Sequence, residues 1–136
     1  MRKQLQIVGV IAAGGVLGAE ARYGVDRLSA GNPSGIPWAT LAVNATGCLL
    51  IGMLMVVLLE LTAPHRLLRP FLGIGVLGGF TTFSAYAVEV QLLLADGRAV
   101  AALGYLAATP VLAVALCWAG AALARTVINQ RRGAHR

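Results

Sequence analysis

Charge is scarce in this chain. Only 12% of its 136 residues are Asp, Glu, Lys or Arg, and the acids number five against eleven basic residues. Soluble globular domains carry about twice that charged fraction. Because 58% of the residues are hydrophobic, the composition excludes an ordinary soluble domain and indicates a protein that lies in a bilayer.

Cysteine and histidine are also few. Cys48 and Cys117 both fall in apolar segments, whereas His65 and His135 lie outside them. This distribution suits neither a disulfide framework nor a metal-ligand cluster, so we expect two reduced, packed thiols. The sequence also lacks a glycine-rich nucleotide-binding loop and a nucleophile–base pair, and it therefore predicts no enzyme.

Four apolar segments account for most of the chain. They predict transmembrane spans at about 5–28, 37–61, 70–94 and 99–124, each close to the roughly 20 residues that cross a bilayer. We expect the first span to be retained rather than cleaved as a leader. The prediction is an all-α membrane protein with a four-helix domain at 1–128 and a basic tail at 129–136. We expect the basic segment from Arg125 to Arg136 to fray beyond the membrane.

The basic residues are distributed unevenly between the two sides of the predicted bundle. Only Arg22, Arg27 and Arg98 fall on the side opposite the termini. The positive-inside rule therefore places both termini in the cytoplasm, and charge near the spans suits a lipid bilayer better than a nucleic acid. The eight basic residues on the side of the termini are Arg2, Lys3, Arg66, Arg69, Arg125, Arg131, Arg132 and Arg136.

The most unusual segment lies within the third span, where residues 75–89 read Gly-Val-Leu-Gly-Gly-Phe-Thr-Thr-Phe-Ser-Ala-Tyr-Ala-Val-Glu. Every backbone polar group in hydrocarbon needs a partner inside the protein. The Gly-Gly-Phe-Thr-Thr run therefore predicts a broken helix that is buried or lines a cavity. Carbonyls freed at such a break can coordinate a cation. Glycines four apart, at Gly14 and Gly18 and again at Gly75 and Gly79, predict close helix packing.

Three short motifs carry a family resemblance. Residues 14–23 read Gly-Gly-Val-Leu-Gly-Ala-Glu-Ala-Arg-Tyr, residues 40–47 read Thr-Leu-Ala-Val-Asn-Ala-Thr-Gly, and residues 78–84 read Gly-Gly-Phe-Thr-Thr-Phe-Ser. In this order they resemble the helix motifs of the Fluc/CrcB family of small fluoride-specific ion channels. The resemblance implies an antiparallel dimer in the bacterial inner membrane that passively exports fluoride and reduces its toxicity. It also implies a structural Na⁺ at the dimer interface, held by the backbone carbonyls of Gly78 and Thr81.

An amide and two aromatic rings are the first candidate site residues. Asn44 is an intramembrane amide, which serves either as interhelical glue or as a functional group. The resemblance implies that it lines the ion path, where its NH₂ group can donate to an anion. Phe83 and Tyr86 are three residues apart and share a helix face. Packing explains such a pair, but ring edges carry positive charge that favours an anion.

The remaining candidates are hydroxyl groups and one arginine. Thr82 and Ser84 offer hydroxyls beside the rings, although hydroxyls in helices often bond their own backbone. The resemblance implies that Tyr105 and Thr109 also line the path. Arg22 is either a snorkelling interfacial residue or part of an anion-attracting vestibule.

Other functions stay open at this point. Tyr86 stands where the family usually has Phe, and Ala85 stands where Thr is common. Together with the uneven charge, these departures favour an alternative in which the chain is one subunit of a heterodimer, paired with an oppositely oriented paralogue. Another alternative is a subunit with no transport of its own. A proton-coupled four-helix exporter needs a titratable carboxylate near the membrane centre. Glu20 lies near a helix end and receives no role, and Glu89 matches an acid of the family motif.

Overall fold

The computed structural model describes residues 2–28, 35–60 and 65–133, and this part of the chain is built from helices. They form four segments that are long and apolar enough to cross a membrane, so the predicted all-α fold with four transmembrane helices is confirmed. The helices are α1 (Arg2–Leu28), α2 (Trp38–Glu60), a π-helix (Arg69–Leu77) that continues into the single turn α3 (Gly78–Phe80), α4 (Phe83–Ala95) and α5 (Ala99–Gly133).

The last helix is longer than the sequence indicated. α5 passes the predicted end of the span at 124 and reaches Gly133, so residues 125–133 are helical where fraying was expected. No proline or glycine interrupts residues 125–132, and leaving a bilayer does not by itself end a helix. Arg132 also forms an ion pair across 2.6 Å with Glu60 at the end of α2. Residues 134–136 lie outside the described part of the chain.

Glycine pairs bring α1 against the first half of the third span. A Cβ atom added to Gly14 would lie 2.6 Å from the carbonyl oxygen of Phe71, and one added to Gly75 would lie 2.9 Å from the Cα atom of Gly14. Gly18 and Gly79 make equally close backbone contacts across the same interface. The predicted packing role of both glycine motifs is therefore confirmed.

A second pair of helices, α2 and α5, also packs through glycines. Gly52 of α2 meets the carbonyl group of Cys117, and Gly120 of α5 meets that of Leu49. Cys48 and Cys117 are free thiols, as expected. A buried cluster joins α4 to α5, and its members are Tyr86, Val90, Leu93, Ala102 and Tyr105.

The third span is broken where the sequence predicts. After α3 the backbone is extended at Thr81 (φ −77°, ψ 152°) and at Thr82 (φ −145°, ψ 124°), and helix resumes at Phe83. The segment before the break packs mainly on α1, whereas α4 packs on α5. The break therefore lies where the chain passes from one helix partner to another, and the candidate site is built around it.

Candidate functional site

An asparagine amide holds the break in place. Asn44 Nδ2 donates to the carbonyl oxygen of Thr82 at 2.9 Å, and the N–H of Thr82 donates to Asn44 Oδ1 at 2.8 Å. Both residues are buried, so this pairing supplies partners that the interrupted helix no longer provides. Asn44 therefore acts as interhelical glue, one of the two roles open to it. Its amide nitrogen carries two N–H groups, and the bond to Thr82 uses one of them.

Hydroxyl groups complete the ends of the two half-helices. Thr81 Oγ1 donates to the carbonyl oxygen of Leu77 at 2.8 Å. Thr82 Oγ1 accepts from the N–H of Ala85 at 3.2 Å and thus caps the first turn of α4. Ser84 Oγ lies 3.3 Å from the Thr82 hydroxyl, within hydrogen-bonding distance. The threonine hydroxyls thus bond the backbone, as such groups often do.

The same contacts withdraw the helical donors from two carbonyl groups. In an unbroken helix the N–H of Thr82 would bond the carbonyl of Gly78, and that of Ala85 would bond the carbonyl of Thr81. Here the first N–H donates to Asn44 and the second to the Thr82 hydroxyl. Gly78 and Thr81 thus present backbone oxygens without their usual helical partners. Such oxygens are the ligands that hard cations prefer, so this pair fits the implied sodium ion.

A cleft of about 430 Å³ opens beside the break. Its wall is mostly apolar, and its polar side chains are an amide, a thiol and the hydroxyls of threonine and tyrosine, with no charged group among them. α2, the broken span and α5 all contribute to it. The lining residues are Asn44, Cys48, Thr81, Thr82, Phe83, Tyr86, Leu106, Thr109, Pro110 and Ala113.

Two aromatic rings form one wall of the cleft. The ring centroids of Phe83 and Tyr86 are 5.6 Å apart, and the ring planes are tilted by 55°. This contact confirms that the two residues share a face of α4. Phe83 is 78% exposed, whereas Tyr86 is 7% exposed. The Phe83 ring therefore stands at the open side of the cleft, and the Tyr86 ring forms its inner wall.

The Tyr86 hydroxyl repairs the hydrogen bonding of α5. Pro110 lies inside α5 and has no N–H, so the carbonyl of Leu106, four residues earlier, loses its helical donor. The Tyr86 hydroxyl donates to that carbonyl at 2.7 Å. Both Leu106 and Pro110 line the cleft. The hydroxyl is thus engaged with a carbonyl group that would otherwise turn an unpaired negative dipole toward the cleft.

A carboxylate clamp lies further along α4. Glu89 Oε1 accepts from the hydroxyl of Thr40 on α2, and Glu89 Oε2 accepts from the hydroxyl of Tyr105 on α5 at 2.8 Å. The Tyr105 ring also packs on the Tyr86 ring, with centroids 5.3 Å apart. Tyr105 is therefore next to the cleft without lining it, and its hydroxyl is used by Glu89.

A second cavity of about 460 Å³ contains the charged groups. Arg22 lies here with Asp26 and Glu89, so this cavity is more polar than the cleft. Ser84 lines this second cavity as well, and Thr82 lines both. The broken backbone at Thr82 therefore separates an uncharged cleft from a charged cavity on the side of the bundle opposite the termini.

The structure brings together most of the candidates and adds others. Asn44, Thr82, Phe83, Tyr86 and Thr109 share the cleft, and the Thr109 hydroxyl bonds its own helix at the Tyr105 carbonyl, 2.8 Å away. Sequence reasoning missed the contacts that link separate helices. Thr40 stands one helical turn before Asn44, which was a usable signal. The pairing of Pro110 with Tyr86 had no local signal beyond the proline itself.

Most of the chain, including both cavities, is similar to known proteins. The family described as CrcB-like protein, Camphor Resistance (CrcB), matches residues 9–121. The chain belongs to the CrcB family. The matched CrcB region contains every candidate site residue, from Arg22 to Thr109.

Relatives at about half identity are found among bacterial members of the CrcB family. A protein of Streptomyces coelicolor named fluoride-specific ion channel FluC 1 is 50% identical over 131 residues, which cover 96% of this chain and 85% of the relative. Fluoride-specific ion channel FluC 2 of Nocardia farcinica is 50% identical over 90% of this chain and 87% of its own. Fluoride-specific ion channel FluC of Paracoccus denitrificans is 44% identical over 85% and 91%, respectively.

Proposed function

We propose that this chain is a passive, fluoride-selective ion channel of the bacterial plasma membrane that exports fluoride from the cytoplasm. The observation that carries the proposal is the cleft at the broken third span, where an amide, hydroxyl groups and aromatic rings converge without a charged side chain. The names of the relatives support the same ion. The chain is a channel subunit and not an enzyme.

An uncharged cleft suits the passage of a small anion. A channel site must bind the ion well enough to replace its water and weakly enough to release it. The second N–H of Asn44 can donate to fluoride, and the edge of the Phe83 ring offers partial positive charge. A full positive charge in the cleft would hold the anion more tightly and slow its release.

The two cavities meet at Thr82 and supply a route across the bundle. Arg22 lies in the second cavity with Asp26 and Glu89, so its guanidinium group offers a passing anion one positive group among carboxylates. Because the second cavity lies on the side opposite the cytoplasmic ends of the helices, exported fluoride passes from the cleft into it, past the Thr82 and Ser84 hydroxyls. Tyr86 and Tyr105 shape the wall, and their hydroxyls serve the carbonyl of Leu106 and the carboxylate of Glu89.

The working unit is a dimer of antiparallel subunits. The 78% exposure of Phe83 supports a partner surface at the cleft, because large exposed apolar side chains beside polar groups commonly mark an interface. In the dimer the carbonyls of Gly78 and Thr81 from each subunit would hold a structural Na⁺. That ion would supply positive charge that links the two broken helices. The hydrogen bonds at the break support the assignment, because the N–H groups of Thr82 and Ala85 donate elsewhere and leave these carbonyls without their usual helical donors.

The partner is either a second copy or a paralogue. Eight basic residues against three favour a single orientation with both termini in the cytoplasm. An antiparallel dimer then needs an oppositely oriented paralogue. A second copy suffices if this chain inserts in both directions.

Growth in fluoride tests the proposed function in cells. Bacteria without their own fluoride exporter should gain resistance when they express this chain, alone or with its paralogue. The variant Phe83→Ile should lose that resistance, because it keeps bulk but removes the ring edge. Trp118→Ile is the matched control, since Trp118 is a similarly exposed ring, at 74%, outside both cavities. Equal resistance from both variants would contradict the assigned role of the cleft.

A further inference from the structure

A third cavity, of about 310 Å³, lies on the side of the bundle where α1 begins and α5 ends. It is formed where α2 ends and the third span begins. One wall is apolar and consists of Met55, Leu58 and Leu59, and the other carries His65, Arg66 and Arg69. None of these residues belongs to the proposed ion path.

The positive charge of this cavity is not balanced by carboxylates. Arg66 donates to the neutral amide oxygen of Gln6 at 2.9 Å, which orients the guanidinium group without neutralising it. Glu60, at the nearby end of α2, is paired with Arg132 at 2.6 Å. Within residues 2–28, 35–60 and 65–133, neither Arg66 nor Arg69 forms an ion pair with an acid.

The cavity is open to the surroundings of the bundle. Leu59 is 80% exposed, and His65, Arg66 and Arg69 are exposed as well. At this height an apolar side chain faces acyl chains, while arginine faces the polar surface of the bilayer. The site therefore combines two arginines at headgroup level with an apolar floor directed into the hydrocarbon.

We propose that this cavity binds the headgroup of an anionic phospholipid. The phosphate lies between the guanidinium groups of Arg66 and Arg69, which present donors suited to phosphate oxygens. The first part of an acyl chain lies along Met55, Leu58 and Leu59. Basic pockets at helix ends on the cytoplasmic side are suited to anionic lipids, and the apolar wall favours a lipid over a free phosphate ion.

Lipid titration of the purified full-length protein tests the proposal. Binding of short-chain phosphatidylglycerol can be counted by native mass spectrometry, with phosphatidylcholine as the neutral lipid. The variant Arg66→Gln/Arg69→Gln should lose affinity for phosphatidylglycerol by about thirty-fold, because each removed arginine lowers the affinity about five-fold. Affinity for phosphatidylcholine should not change.

The matched control is Arg125→Gln/Arg131→Gln, which removes the same charge from the same side but outside the cavity. It should retain affinity for phosphatidylglycerol within about two-fold, since the attraction of distant charges is screened. An equal loss in both double variants would overturn the proposal, because the attraction would then be diffuse. Inorganic phosphate that binds as tightly as phosphatidylglycerol would also overturn it, since the apolar wall would contribute nothing.

Fluoride efflux separates this proposal from the function of the cleft. In liposomes of neutral lipid, Arg66→Gln/Arg69→Gln should conduct fluoride at the rate of the unmodified protein. A protein that conducts no fluoride but binds phosphatidylglycerol through these arginines would refute the channel assignment and retain the lipid site.

Discussion

The hydroxyl of Tyr86 can be removed without altering the ring by the change Tyr86→Phe. The carbonyl of Leu106 would then lose its donor, because Pro110 has no N–H to offer. The bond is part-buried, and an acceptor left without a partner away from water costs about 1–3 kcal/mol. We therefore expect the variant to unfold more readily in detergent by about that amount.

The change Pro110→Ala supplies the missing donor from within α5. In that background the Leu106 carbonyl bonds the new N–H, so Tyr86→Phe should cost well under about 1 kcal/mol. A double-mutant cycle compares this cost with the cost of Tyr86→Phe when Pro110 is present. The cycle thus isolates a coupling of at least about 1 kcal/mol between two residues that the 2.7 Å bond connects through Leu106.

Fluoride efflux from liposomes provides the second measurement. An unpaired carbonyl dipole at the wall of the cleft repels an anion, and a repulsion of about 1 kcal/mol slows flux about five-fold. Tyr86→Phe should show that loss, and Tyr86→Phe/Pro110→Ala should recover it. If the hydroxyl instead donates to fluoride, flux falls in both backgrounds. An equal cost in stability and flux with and without the proline would show that the Tyr86 hydroxyl does not replace the donor that Pro110 lacks.

Three further predictions concern the cleft, the packing and the orientation of the chain. Asn44→Asp should lower fluoride flux by charge repulsion and Phe83→Ile by loss of the ring edge, each at least about ten-fold, the effect of about 1.4 kcal/mol. Normal flux in both folded variants would show that these residues are packing elements. Gly18→Ala should destabilise the fold by about 1–3 kcal/mol, the usual cost of overpacking, because its Cβ would meet the backbone of Val76. Thermal unfolding measures the effect, and Gly9→Ala is the control because its Cβ would meet nothing within 4 Å. A tag at the C-terminus should report a single cytoplasmic orientation, and a clear mixture of orientations would show that the eight-to-three charge count is misleading.

Local chemistry made the outline of the fold and the break predictable. Hydropathy alone delimits four spans, because bilayer thickness sets their length. The glycines and hydroxyls near Thr81 predict an interruption, because such a run is costly in hydrocarbon. The end of α5 was harder to predict. Basic residues indicate where a helix leaves the membrane, whereas the continuation to Gly133 depends on helix formation in water.

The partners of individual polar groups were not predictable in the same way. Asn44 and Thr82 are 38 residues apart, so their pairing depends on how α2 meets the third span. Pro110 indicates an unpaired carbonyl at Leu106, but the sequence does not name the donor. Glu89 matches a motif acid, yet its bonds to Thr40 and Tyr105 require three helices to converge.

We propose that an uncharged cleft at the broken third span conducts fluoride selectively. Efflux from liposomes that contain only this protein tests it most directly, with fluoride and chloride electrodes and without a proton gradient. We expect fluoride release that is far faster than chloride release, because the cleft offers hydrogen-bond donors that suit a small anion and no positive charge that would attract a larger one. Equal release of the two ions, or fluoride release only in the presence of a proton gradient, would contradict it.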